Sequence, residues 1–78
     1  MVEAYCMVST EPGKEKEVFD EVDGLEGVVS VEAVTGSYDL VARVETDSFE
    51  TLTETVFSKI RSIDSVTSTS TLTVVELE

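Results

Sequence analysis

One reversal constrains this chain more than any other. Between the strand-like runs Val28-Val29-Ser30-Val31-Glu32-Ala33-Val34 and Leu40-Val41-Ala42-Arg43-Val44 stands Thr35-Gly36-Ser37-Tyr38-Asp39. Gly36 takes positive φ at little cost, so the two runs fold back on each other as a hairpin. Hairpin turns rarely need an aromatic and a carboxylate directly after the glycine. Tyr38 and Asp39 at the mouth of such a turn, beside exposed backbone N–H groups, suit a small polar ligand. Turn chemistry alone supplies the same residue types, with Asp39 satisfying loop amides and Tyr38 packing. The residues leave both uses open.

The rest of the chain sorts around this hairpin. Val2 to Val8 reads as a strand, with Val2, Ala4, Cys6 and Val8 on one face. Thr10-Glu11-Pro12-Gly13 ends it. A charged run follows in which Val18, Phe19, Val22 and Leu25 recur at helical spacing, and Asp23-Gly24 with Gly27 stops that helix. Asp47-Ser48-Phe49-Glu50 reads as a capping box, with Asp47 as N-cap and Glu50 reaching back. Phe49, Leu52, Val56, Ile60 and Ile63 then form one apolar stripe. Val66 to Leu77, rich in Thr and Val, is a strand by propensity. The order βαββαβ is an α+β, ferredoxin-like plan: a four-stranded antiparallel sheet with two helices on one face.

That plan leaves the second sheet face bare. The alternation that places Ala4, Cys6, Leu40, Ala42 and Val44 under the helices places Tyr5, Met7, Val34 and Val41 on the open side. Val74 or Val75 joins them according to register. A cluster of this size on an 8.5 kDa chain is an association surface, so sheet-to-sheet dimerisation is expected, as in dimeric α/β-barrel proteins.

Composition narrows the function. The 78 residues are expected to form a single domain, 1–78, with no DNA-binding domain. Seventeen acidic residues oppose five basic ones, for a net charge of −12. That field repels nucleic-acid phosphate and anionic membranes, and Lys14, Lys16, Arg43, Lys59 and Arg61 form no stripe. The acid excess with three lysines resembles proteins of salt-loving microbes, such as a halophilic archaeon. No run of about 18–20 apolar residues and no N-terminal signal is present, and Cys6 has no partner, so a cytoplasmic address is expected. His, Asn, Gln and Trp are absent altogether. Metal sites and acid–base dyads lose their commonest member, and no catalytic residue, metal or cofactor is assigned.

Several motifs at these positions resemble the effector-binding (RAM) domain of the leucine-responsive, Lrp/AsnC transcription regulators. They are Glu11-Pro12-Gly13-Lys14, Glu26-Gly27-Val28, Val34-Thr35-Gly36-Ser37-Tyr38-Asp39-Leu40, and Ile63-Asp64-Ser65-Val66 with the Ser/Thr strand to Thr73. The resemblance implies a homodimer that assembles into rings, commonly octamers, with a free amino acid lodged between dimers. It implies effector contacts from Gly36, Ser37, Tyr38 and Asp39 of one subunit and from Thr69 and Thr71 of another. Family regulators carry a helix-turn-helix before this domain, whereas this chain starts at the first strand. The implied role is an amino-acid sensor that modulates regulators of amino-acid metabolism, co-assembling with full-length relatives without touching DNA itself. A zwitterion needs acceptors for its ammonium and donors for its carboxylate. Asp39 would supply the former; the Gly36 and Ser37 amides with the threonine hydroxyls would supply the latter.

Two rivals share the topology. A small dimeric α/β-barrel enzyme usually recruits His, Asn or Trp. A ligand-free assembly module needs no site at all. The charge itself yields a test: the melting temperature rises between dilute and molar salt, because screening shortens the range over which the carboxylates repel. Thermal unfolding across a salt series checks this, and a constant melting temperature refutes the halophilic reading.

Overall fold

The computed structural model describes residues 1–77. Its elements run β1 (Val2–Thr10), α1 (Glu15–Asp23), β2 (Val28–Ala33), β3 (Leu40–Thr46), α2 (Phe49–Glu54), a π-helical segment (Thr55–Ile60) and β4 (Val66–Thr73). The sheet is antiparallel in the order β2-β3-β1-β4, the arrangement expected of a ferredoxin-like βαββαβ chain. Among the described residues no helix is long and apolar enough to cross a membrane.

Alternation explains the core. Ala4, Cys6 and Val8 of β1 pair with Val44, Ala42 and Leu40 of β3, and all six are buried. Val18 and Val22 of α1, with Leu52, Val56 and Ile60 of the second helical stretch, close over them in one cluster. Small residues at Ala4, Cys6 and Ala42 let both helices approach the sheet closely. Phe19, Leu25 and Ile63 pack at the margin of this cluster.

The second helix departs from its sequence pattern in three ways. Its N-cap is Ser48, not Asp47. Ser48 is extended (φ −142°, ψ 159°) and its Oγ accepts from the Thr51 N–H at 3.1 Å. Thr46 Oγ1 donates to the Ser48 carbonyl at 2.7 Å and holds the entry, so the cap falls one residue later than the carboxylate suggests. With that shift Glu50 is no longer at the third helical position, and Thr51 takes the reciprocal place. Phe49 does not join the apolar stripe; it stands 61% exposed at the first helical position. Beyond Glu54 the helix widens, and the Arg61 N–H donates to Val56 O, five residues back, at 3.0 Å. Val56 and Ile60 stay inward along this stretch while Phe57 faces out.

On the bare face, Tyr5 lies between Arg43 and Leu72, and Met7 between Val41 and Ser70. The Val74 N–H donates to Glu3 O at 2.9 Å, which settles the register in favour of Val74 rather than Val75 as the residue joining this face. Regular strand ends at Thr73, four residues before Leu77.

The cap assignment is testable. Ser48→Ala costs about 1 kcal/mol of unfolding free energy, whereas Asp47→Ala stays within about 0.5 kcal/mol, as an exposed residue outside the cap does. Denaturant unfolding of the two variants decides between them, and the reverse order refutes this start.

Candidate functional site

The hairpin turn is held at both ends. The Val34 N–H donates to Asp39 O, and the Asp39 N–H donates to Val8 O, both at 2.9 Å. The Asp39 side chain then crosses to β1: Oδ2 accepts from the Thr10 N–H at 2.8 Å and from Thr10 Oγ1 at 3.4 Å. Leu40 is the last β3 residue paired with β1, opposite Val8, so the Thr10 N–H has no backbone rung to meet. The carboxylate stands in for that rung. Asp39 therefore anchors the turn to β1, a partnership that local sequence does not reveal because Thr10 is 29 residues away.

The rim of the turn opens to free space. Gly36 has φ +119°, and a Cβ built there meets nothing within 4 Å. Among the described residues the Gly36 and Ser37 amides donate to no acceptor in the chain. Tyr38 and Asp39 are half-buried behind them. Two free amides and the Asp39 carboxylate, donors and an acceptor, belong to one short loop.

Thr69 and Thr71 do not adjoin this loop. Thr69 pairs with Val8 and Thr71 with Cys6, so both stand on the helix side of β4. β1 intervenes between β4 and β3, which separates the two sets by two strand spacings, about 10 Å. Gly36, Ser37, Tyr38 and Asp39 come together in one copy; Thr69 and Thr71 form a second group on the opposite flank of β1. Burial pushes the Cys6 thiol above its ordinary pKa, and the neighbouring Thr71 hydroxyl offsets this only in part. A protonated, buried thiol is a packing group rather than a nucleophile.

The open face carries charge that alternation alone did not bring out. Arg43 Nη2 lies 2.8 Å from Glu3 and 3.2 Å from Glu45. The Glu3 hydrogen bond, then its charge, drives the guanidinium pKa still higher. Beside this cluster, Tyr5, Val34, Val41 and Arg43 line a shallow cleft of about 360 Å³. Leu72, 51% exposed, is a further apolar member of that face. Its signal was present in the sequence as the one Leu inside the Ser/Thr-rich strand.

With the geometry in place, likeness to known proteins becomes informative. A family model described as the Lrp/AsnC ligand binding domain matches residues 3–77. The chain belongs to the Lrp/AsnC ligand-binding-domain family. Among solved structures, FFRP-DM1 superimposes with a TM-score of 0.92 at 35% identity, covering 96% of this chain and all of that one. A hypothetical protein, PHS023 from Pyrococcus horikoshii, gives 0.90 at 34% identity, over 99% of this chain and 93% of its own. The transcriptional regulator NMB0573 from Neisseria meningitidis, solved as an L-Met complex, gives 0.85 at 21% identity. This Lrp/AsnC domain covers 96% of itself against that regulator but only 50% of the regulator's chain. No curated protein matches the sequence. The family is one of regulatory ligand-binding domains, and its RAM fold is the βαββαβ sheet described above.

The turn itself can be probed without a ligand. Gly36→Ala destabilises the fold by about 1–3 kcal/mol through backbone strain, since the added methyl meets no neighbour. Urea unfolding measures this; a neutral substitution would mean that the loop relaxes to negative φ.

Proposed function

We propose that this Lrp/AsnC domain is an amino-acid-sensing, self-associating effector module that acts on transcription regulators and does not itself bind DNA. The observation carrying this reading is the turn: free Gly36 and Ser37 amides on the same loop as the Asp39 carboxylate match the two charges of a zwitterion. The L-Met complex of the Neisseria meningitidis regulator supports an amino acid as the ligand class. In this reading the effector sits between dimers, with its ammonium on Asp39 and its carboxylate on the turn amides. Thr69 and Thr71 of a neighbouring subunit close the site. The apolar face of Tyr5, Met7, Val34, Val41 and Leu72 supports a sheet-to-sheet homodimer, and larger rings or mixed assemblies with full-length relatives follow the same logic. The net charge of −12 opposes contact with nucleic acid or anionic membrane. The single-domain reading of residues 1–78, its intracellular setting and its high-salt origin belong to the same proposal.

A second reading, a ligand-free assembly module, draws on one specific fact. Asp39 Oδ2 is already engaged by Thr10, so the carboxylate has a structural task without any effector.

Calorimetric titration with the twenty amino acids in high salt separates the two. Asp39→Asn keeps an acceptor for the Thr10 N–H and removes the charge. It weakens binding by roughly 10- to 150-fold, the equivalent of about 1.5–3 kcal/mol for a charged hydrogen bond. Absence of binding by every amino acid, or equal binding by the folded variant, returns Asp39 to its structural role.

A further inference from the structure

Carboxylates crowd nearly every concave surface of this chain. Four clefts are each lined by at least one Asp or Glu: Glu26, Glu45 and Asp47 in one, Glu17, Glu21 and Asp64 in another, Glu50 and Glu54 in a third, and Glu32 in the open-face cleft. The cleft between α2 with its π-helical continuation and β4 is different. Leu52 and Val56 floor it, Phe49 and Phe57 wall it, Thr71 and Thr73 form its rim, and no acidic residue lines its roughly 230 Å³. Phe49 and Phe57 are 61% and 55% exposed. Arg61 stacks over the Phe57 ring at 4.9 Å and, among the described residues, makes no ion pair.

A matching segment exists in the same sequence. After β4 the chain continues Val74-Val75-Glu76-Leu77, with Val75 74% and Leu77 92% exposed. Two apolar side chains flanking one carboxylate are the chemical complement of an aromatic cleft beside a free guanidinium. A chain cannot easily fill its own cleft this way. Val74 is bonded to Glu3 O and so prolongs β4 past Thr73, away from Phe57, and Thr73 to Leu77 holds no Gly or Pro with which to reverse. We propose that the cleft between α2 and β4 receives Val75–Leu77 of a second copy of this chain, with Arg61 meeting the second copy's Glu76. This contact joins unlike surfaces, whereas the bare sheet face joins like ones. A chain carrying both kinds can extend beyond a dimer. The proposal rests on the self-associating part of the reading above but not on any effector.

Sedimentation of the full chain and its surface variants tests it. The wild type forms an assembly larger than a dimer. Leu77→Asp weakens that assembly ~10- to 100-fold and leaves the dimer, as loss of one buried leucine contact does. Arg61→Glu also weakens it, and combining Arg61→Glu with Glu76→Arg restores it. Variants that retain the wild-type mass overturn the proposal, as does a wild type that stops at the dimer. Another outcome also sinks it: Phe57→Ala abolishing amino-acid binding while the mass stays unchanged, which would assign the cleft to a ligand side chain. A monomeric wild type removes the sheet-to-sheet dimer as well, so the two failures are told apart by whether the dimer survives.

Discussion

Everything in this fold hangs on β1 being flanked on both sides. It pairs with β3 and β4 along almost its whole length, and its inward residues are Ala4, Cys6 and Val8. Because those residues are small or branched at Cβ, both helices can settle directly on the central pair of strands. Among the described residues, the twelve of the core then all lie on one side of the sheet. A chain of this length gathers a single core, so the other face is left bare. The same strand also fixes the hairpin turn: Thr10 outlasts its partner strand, and Asp39 completes the ladder in place of a backbone carbonyl.

Where periodicity is strict, sequence and structure agree. β3 alternates buried and half-buried from Leu40 to Thr46 without a break, and Gly36 takes the positive φ that a reversal demands. The family likeness, carried by the Glu-Pro-Gly and Gly-Ser-Tyr-Asp stretches, holds over residues 3–77. What escaped reading depends on distance or on broken periods. The Asp39–Thr10 bond spans 29 residues and leaves no local trace. Ser48 displaces Asp47 as cap because Thr46 fixes the entry geometry, although Asp and Ser cap about equally well on their own. The widened turn after Glu54 breaks the 3.6-residue period that sequence reading assumes, and no residue in Thr55–Ile60 announces it.

The acidic composition and the exposed apolar surface are two sides of one problem. Copies carrying −12 each repel at long range, so any contact between them must form where carboxylates are neutralised or absent. On the open face Arg43 is held between Glu3 and Glu45, which tempers the charge where Tyr5 and Leu72 need a partner. In the cleft between α2 and β4 no carboxylate lines the surface at all. Salt then acts on assembly and on folding together, since it screens repulsion both within a copy and between copies.

The candidate effector residues sharpen the consequence. The turn and the hydroxyl row lie on opposite flanks of β1, so one small molecule cannot touch both within a copy. Under the proposed reading the site exists only where two subunits meet, and occupancy and assembly become linked equilibria. A ligand that bridges subunits binds the assembled form alone, and it stabilises that form by the same factor by which assembly raises its affinity. Sensing then needs no internal conformational switch. The rigid turn, pinned by Asp39 to β1, supports this economy: a preorganised loop loses little freedom when the ligand arrives, so the free energy of binding goes into the interface rather than into ordering the loop.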